Sequence, residues 1–288
     1  MSSNHLKLAQ ILLAVTAFCL GASGLSISGS DLLDAGIEDA LRAELEAAGL
    51  EAALSFKGSL LGQKELEQGD ADAAILAFPE DLPDSLPGRR FPFAFQMVAF
   101  AVHASNPVPD LTYAMLASLY GQSGVLESWS NLTAQPEWRD RKISLWASRR
   151  EDAINLEIFN AVVLQGSPLK RAVRYSTGDA AQLISIVVED ASALVLVPAI
   201  PANAAVRFLA VKAEEEGRGY TPTPDNVFFG DYPLRLPFYL VVSDRLDEAT
   251  LAKLLRAIYS PAVTGALQNA YYMPMPDTER RSILAQFE

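Results

Sequence analysis

The residues best suited to bind a ligand lie in the stretch Ser55–Ala77, where Gly58 and Ser59 separate a predicted strand from a predicted helix at 60–68. The first N–H groups of a helix have no partners within the helix, and the helix dipole places partial positive charge there. Such a helix start can bind an anion, with the Ser59 hydroxyl as an additional donor. Ser59 could equally be an ordinary helix cap with no ligand, because serine is common at that position.

Two other segments have the same strand–loop–helix pattern. The first begins with the predicted strand Leu25–Ser28 and enters a helix for which Asp31 is the expected N-cap. The other begins with the predicted strand Ile143–Ala147 and passes through Arg149 into a helix that includes Asn155. An arginine at such a turn can form a bidentate pair with an oxyanion, although a solvated surface arginine would give the same pattern.

The alternation of predicted strands and helices indicates an α/β protein, with each lobe a mostly parallel sheet flanked by helices. The long apolar strands expected to start near Phe93 and near Phe238 would carry the chain between two lobes. We expect residues 25–100 plus 237–288 to form lobe I and residues 101–236 to form lobe II. Since ligands of such folds bind beyond the carboxyl ends of strands, the three loops could converge on one cleft.

The composition limits the function classes that the chain can serve. Its 288 residues carry a formal net charge of −12, whereas proteins that bind nucleic acid have basic patches. We therefore expect no nucleic-acid partner. A small anion is not excluded, because a local cluster of N–H groups and one arginine can override the global field.

The chain offers few residues for catalysis. Cys19 is the one cysteine, and removal of a leader that contains His5 would leave His103 as the one histidine. A Ser-His-Asp site or a histidine-rich metal site is then hard to assemble. We expect no catalytic residues, no metal and no cofactor, and hence a protein that is not an enzyme.

Residues 1–24 have the pattern of a secretory signal peptide. Lys7 supplies the positive start, Leu8–Leu20 the apolar segment and Ala22–Gly24 the small residues of a cleavage site. The apolar segment is shorter than the roughly 20 residues that a membrane span needs. We therefore expect a periplasmic or secreted protein. A lipoprotein signal at Cys19 is the alternative, although a bulky residue precedes this cysteine.

The stretch GSLLGQKELEQGDADAAILA resembles a segment of the phosphate-binding periplasmic proteins of ABC importers, the PstS-like members of the type II periplasmic binding protein family. In that family a Gly-Ser-rich loop opens a helix, and a strand with an Asp-Phe-Gly-Ala-Ser-Asp pattern follows. Gly58, Ser59 and Asp72 occupy matching positions. Framework motifs are also similar at Asn106-Pro107, Leu111-Thr112, Trp129, Tyr232-Pro233-Leu234 and 271–276.

The resemblance covers most of the chain after the leader and implies a two-lobed fold that binds a small oxyanion in the cleft between its lobes. It also implies the ligand-binding residues, which come from the three loops: Ser30, Asp31, Leu32, Ser59, Arg149 and Asn155.

The ligand motifs depart from those of the family. Ala77 stands where the family has the closing Asp that accepts the proton of hydrogen phosphate, and Ala153, Ile154 and Asn155 replace Ser-Gly-Thr. We therefore expect weak or absent phosphate binding with little preference over sulfate. Glu80 or Asp81 is the alternative proton acceptor, if the loop folds back.

Two functions follow from the resemblance. One is an exported PstS-like solute-binding protein, a monomer whose partners are a small anionic ligand and the membrane subunits of an ABC importer. The other is a relative that has lost the anion ligands and acts as a sensory or protein-interaction module.

The signal pattern makes a prediction about the exported protein. We expect its N-terminus at about Leu25, because the small residues of the cleavage site end at Gly24. N-terminal sequencing of the secreted fraction measures this directly, and a lipid-bearing chain that starts at Cys19 would contradict it.

Overall fold

The computed structural model describes residues 24–78, 86–149 and 154–287. Residues 1–23 of the predicted leader, with Cys19, lie outside the described residues. The strands are β1 (Leu25–Gly29), β2 (Ala52–Phe56), β3 (Ala73–Ala77), β4 (Arg89–Met97), β5 (Ala99–His103), β6 (Asp110–Thr112), β7 (Ser144–Ser148), β8 (Arg174–Ser176), β9 (Ala193–Val197), β10 (Val206–Phe208), β11 (Ala210–Lys212), β12 (Arg235–Val242) and β13 (Met273–Pro274).

Helices connect most of these strands. The α-helices are α1 (Ala35–Ala47), α2 (Ser59–Gln68), α3 (Tyr113–Tyr120), α4 (Asn155–Phe159), α5 (Ala180–Glu189), α6 (Pro224–Phe228), α7 (Glu248–Ile258), α8 (Pro261–Asn269) and α9 (Asp277–Leu284). A π-helical turn at Asn160–Leu164 continues α4. Short 3₁₀ helices lie at Trp129–Asn131, Pro136–Trp138 and Ala285–Phe287. Within the described residues, no helix is both long and apolar enough to cross a membrane.

Two large sheets form the two lobes of this α/β protein. The first has the strand order β13-β4-β12-β3-β1-β2, the second has the order β10-β5-β9-β7-β8, and β11 and β6 form a small third sheet. Pairing is parallel where a helix returns the chain, as between β1 and its neighbours β2 and β3 and between β7 and its neighbours β8 and β9. Strands β4, β5 and β12, which carry the chain between the sheets, pair antiparallel with their neighbours.

The predicted long strand Phe93–His103 is two strands, because the backbone leaves one sheet and enters the other at Val98. The Val98 N–H donates to the Leu234 carbonyl at 3.0 Å, and the Tyr232 hydroxyl donates to the Val98 carbonyl. Outgoing and returning segments are thus bonded to each other where they cross. The exact lobe boundaries remain a prediction.

The core of the second sheet is built around buried aromatic residues. The Tyr120 ring lies 6.0 Å from the Phe100 ring and 5.4 Å from the Phe159 ring, and its hydroxyl donates to the Leu194 carbonyl at 2.9 Å. Burial raises the pKa of Tyr120 well above its ordinary value, so the hydroxyl remains a donor. Trp129 is fully buried, and its indole N–H donates to the Ser192 carbonyl at 3.1 Å.

Close backbone packing holds α2 against β1. Gly29 has a φ of 148°, which favours glycine, and a Cβ there would overlap the Ile75 carbonyl oxygen. A Cβ on Gly62 of α2 would come within 2.7 Å of the Gly29 Cα. A larger residue at Gly62 would push α2 away from the end of β1, and a larger residue at Gly29 would push β1 away from β3.

This packing makes a stability prediction. We expect Gly29→Ala to lower the free energy of unfolding by about 3 kcal/mol or more, because it combines a strained φ with a backbone clash. Chemical denaturation followed by circular dichroism measures the change. Gly265→Ala on α8 is the matched control: an added methyl group would meet nothing within 4 Å, so alanine should stabilise by about 0.5–1 kcal/mol. Equal effects of the two substitutions would contradict this account.

Candidate functional site

Two of the predicted loops come together at the carboxyl ends of β1 and β3. The Gly58 N–H donates to the Gly29 carbonyl at 2.8 Å, and the Ala77 N–H donates to the Ser59 Oγ at 2.9 Å. Ser30 directly follows Gly29 in the chain. The structure therefore brings Ser30 and Ser59 to the same edge of the first sheet.

Ser59 is not the helix cap that the sequence suggested. Gly58, with a φ of 132°, is the N-cap of α2 and forms no side-chain cap bond, and Ser59 is the first residue of the helix. The Ser59 oxygen is instead an acceptor for the end of β3. Because a hydroxyl can donate and accept at once, its proton can still be donated to a ligand.

The first loop also begins its helix later than expected. Asp34 is the N-cap of α1, with its Oδ1 accepting the Gly36 N–H at 2.7 Å, so the prediction of Asp31 as the cap was wrong. The reason is that β1 extends to Gly29 and a turn precedes the helix. Asp31 is exposed in this turn.

Ser30 and Leu32 bond to each other in the first loop. Ser30 is 1% exposed, and its Oγ accepts the Leu32 N–H at 3.2 Å. The Leu32 carbonyl accepts the hydroxyl of Tyr272. The Leu32 N–H, which the resemblance implied as a ligand donor, therefore already has an acceptor within the loop.

The third loop joins β7 to α4, and residues 150–153 of this loop lie outside the described residues. Asn155 is 1% exposed, and its amide nitrogen donates to the Ser148 carbonyl at 3.1 Å. That bond fixes the orientation of the amide. Within the part of the chain that the structure describes, the Asn155 Oδ1 and the Ser148 Oγ have no hydrogen-bond partner. Two buried polar atoms thus point to a site that a ligand can complete.

Arg149 lies on the surface at the end of β7. Its guanidinium carbon is 5.4 Å from the centre of the Tyr175 ring, and its backbone N–H donates to the Ser176 carbonyl at 2.8 Å. The aromatic ring restricts the guanidinium to one region of the surface. Arg149 therefore lies next to the Tyr175 ring and is exposed to solvent.

A short path of contacts links the two groups of residues. Ala77 pairs with Phe238 of β12, and Leu236, two residues earlier in β12, pairs with Gln96 of β4. The Gln96 Oε1 accepts the Ile154 N–H at 3.3 Å, directly before α4. The Ser59 loop and the Asn155 loop therefore flank the strands that cross between the sheets. That all the predicted residues face one cleft remains a prediction.

Sequence reasoning missed Gln96 and Tyr175. Gln96 had a usable signal, because it is the one polar residue in the apolar run FAFQMVAF and a buried amide needs a partner. Tyr175 had none, because only the pairing of β8 with β7 brings it close to Arg149.

The described side chains of the three loops include an uncharged hydroxyl donor, Ser59, and a cationic donor, Arg149. In the described ranges, no group of three or more His, Cys, Asp or Glu residues is placed to hold a metal ion. Outside the described residues lie Glu80 and Asp81, the alternative proton acceptors, and Ala153, which stands where the family has serine.

The model of a known protein family matches most of the chain. The PBP superfamily domain matches residues 20–261. The chain belongs to the PBP superfamily. No curated protein is similar enough in sequence to this PBP superfamily chain to count as a match.

Solved structures share its fold at low sequence identity. A possible phosphate binding protein from Planctomyces limnophilus has a TM-score of 0.64 and 16% identity, covering 91% of this chain and 98% of that one. PstS from Borrelia burgdorferi has a TM-score of 0.62 and 12% identity, covering 88% and 98%. An ABC-type phosphate transport receptor from Vibrio cholerae has a TM-score of 0.55 and 22% identity, covering 88% and 100%. The PBP superfamily chain thus has their two-lobed fold.

The role of Ser59 in the fold can be measured apart from any ligand. We expect Ser59→Ala to lower the free energy of unfolding by about 1–3 kcal/mol, because the Ala77 N–H would lose its acceptor. Ser123→Ala makes the same chemical change at an exposed position and should have an effect within about 0.5 kcal/mol. Similar unfolding curves for both variants would show that the bond contributes nothing.

Proposed function

We propose that this PBP superfamily protein is exported and binds a small oxyanion between its lobes for uptake by an ABC importer. Residues 25–100 plus 237–288 would form one lobe and residues 101–236 the other. The protein would act as a monomer in the periplasm or outside the cell, delivering its ligand to the membrane subunits of the importer. Solved proteins of the same fold are named as phosphate-binding or phosphate transport proteins, which supports an anion as ligand.

The observation that carries this proposal is that the loops leading into α1 and α2 meet at one edge of the first sheet. The start of α2 lies against the end of β1 through the bond from Gly58 to Gly29, and the hydroxyl of Ser59 lies at the end of β3. The ten residues of α2 direct a helix dipole with its positive end toward this edge. An anion placed there would meet backbone N–H groups, the Ser59 hydroxyl and a positive dipole end.

Arg149 and Asn155 would complete the site from the second lobe. The guanidinium of Arg149 can bind two oxygens of an oxyanion at once. The Asn155 Oδ1 is an acceptor, so it suits a ligand hydroxyl or a protonated oxygen rather than a bare oxyanion. The buried acceptor would otherwise remain unsatisfied, at a cost of about 1–3 kcal/mol.

The second candidate function, a sensory or protein-interaction module, is favoured by Gln96. Its amide oxygen accepts the Ile154 N–H, which is a donor at the start of α4 that a bound anion would otherwise use. Ala77 also lacks the carboxylate that the resemblance assigns to proton acceptance. A chain that satisfies its own donors has less need of a ligand.

Calorimetric titration of the mature protein with phosphate, sulfate, molybdate and small organic anions tests the proposal. We expect at least one anion to bind, with phosphate weak and little preferred over sulfate, because Ala77 can neither accept a proton nor repel a dianion. Tight and phosphate-selective binding would contradict the expected lack of preference and would direct attention to Glu80 or Asp81. No binding of any anion would overturn the proposal in favour of the second candidate.

Substitution of Arg149 shows whether the heat of binding measured by calorimetry arises at the proposed site. Arg149→Ala should weaken anion binding by about 1.5–3 kcal/mol, the range for hydrogen bonds to charged groups. Arg174→Ala is the matched control, since its guanidinium lies 5.4 Å from the centre of the Trp146 ring in a similar pair. The two variants remove the same charge, so equal losses would indicate a general field effect and not a contact.

A further inference from the structure

Tyr271 has an unusual backbone conformation at the end of α8. Its φ is 61°, in the left-handed region that glycine normally occupies. The Tyr271 N–H donates to the Gln268 carbonyl and the Tyr272 N–H donates to the Leu267 carbonyl, at 3.2 and 2.8 Å. These two bonds form a Schellman motif, whose left-handed residue is usually glycine. A tyrosine at this position costs conformational energy, which contacts elsewhere in the folded protein must offset.

The Tyr271 side chain contacts the other lobe. Its hydroxyl accepts the Ala180 N–H at 3.1 Å, at the first residue of α5. Helix α5 packs on β9, β5 and β10, which are strands of the second sheet. Met273, two residues after Tyr271, pairs with Phe95 in the first sheet. The bond of the Tyr271 hydroxyl therefore joins a segment next to the first sheet to a helix that packs on the second sheet.

The next residue holds this segment on the side of the first sheet. The Tyr272 hydroxyl donates to the Leu32 carbonyl, and its ring lies 5.2 Å from the Phe238 ring. Tyr272 is 1% exposed. The two neighbouring tyrosines thus bond in different directions. Tyr272 bonds to the loop after β1, at Leu32, and Tyr271 bonds to the start of α5.

The same segment borders a cavity of about 730 Å³. Its lining includes α8 residues and residues 272–277, and also Ala199, Ile200 and Pro201, which follow β9 of the second sheet. Because these two groups of residues adjoin different sheets, a change in the angle between the lobes would change the shape of this cavity.

We propose that Tyr271 is a latch residue that favours the closed arrangement of the two lobes before a ligand binds. The bond uses the Ala180 N–H, which is not among the donors assigned to the anion, so the latch closes the cleft without competing for them. The start of α5 is otherwise capped by Asp179, whose Oδ1 accepts the Gln182 N–H at 3.0 Å. In a protein that binds its ligand in the closed form, a larger closed fraction raises the apparent affinity. That consequence for affinity rests on the proposed function, whereas the latch itself does not.

Distances between the lobes test the latch in the absence of any ligand. Cysteines at the exposed positions Glu67 of α2 and Glu189 of α5 can be labelled for single-molecule energy transfer in the mature chain, because Cys19 belongs to the predicted leader. Tyr271→Phe removes the hydroxyl and keeps the ring and the backbone conformation. We expect the ratio of closed to open molecules to fall about two- to tenfold, the effect of one neutral hydrogen bond.

A second variant removes the donor from the other side of the bond. Ala180→Pro deletes the N–H at the first position of α5, where proline is tolerated. It should open the lobes to the same degree as Tyr271→Phe, and the double variant should open them no further. Tyr259→Phe is the control, because its hydroxyl donates to the Pro92 carbonyl within the first lobe, and it should leave the ratio unchanged.

The outcomes separate the latch from the proposed function. Unchanged distances in both Tyr271→Phe and Ala180→Pro, or equal opening by Tyr259→Phe, would overturn the latch. Additive opening in the double variant would show that the two groups act independently and would also overturn it. Because no anion is added, these results stand whether or not calorimetry finds a ligand.

Discussion

The crossing at Val98 is the constraint on which the two-lobed structure depends. Both hydrogen-bonding groups of this residue are occupied by the returning segment, through the Leu234 carbonyl and the Tyr232 hydroxyl. Burial raises the pKa of Tyr232 well above its ordinary value, so its hydroxyl stays protonated and continues to donate. These hydrogen bonds fix the point at which the two sheets separate. The angle between the sheets is then determined by contacts farther from the crossing.

The secondary structure was largely predictable where local signals were complete. In helix α5, Ala180–Glu189, the local signals are complete, because the cap Asp179 and the apolar spacing agree. The cap of α1 was misplaced because Asp31 and Asp34 have the same side chain, and only the length of β1 decides between them. The break at Val98 gave no local signal, since the apolar sequence continues through it and the return of Leu234 causes the break.

The candidate site was predictable in its positions and less so in its bonds. Strand–loop–helix patterns placed Ser30 and Ser59 correctly at strand ends, because carboxyl ends of parallel strands share one sheet edge. Their hydroxyl bonds depend on tertiary contacts: Ser59 accepts from Ala77, which is 18 residues away. The same limit applies to Gln96 and Ile154, which are 58 residues apart. Residue types therefore predicted which groups can bind an anion, and folding decided which of those groups already have a partner.

The bonds of Gln96 and Tyr271 between the two lobes share one feature. Gln96 and Tyr271 each use a side-chain oxygen to accept a backbone N–H from a helix start of the second sheet. Such N–H groups lie at the positive end of the helix and cannot be satisfied within it, so an oxygen from the other lobe is a favourable partner. An anion would satisfy the same kind of donor. Under the proposed latch, internal oxygens of this kind take the place of part of an anion and stabilise a closed arrangement, and the left-handed conformation of Tyr271 is the conformational cost of its bond.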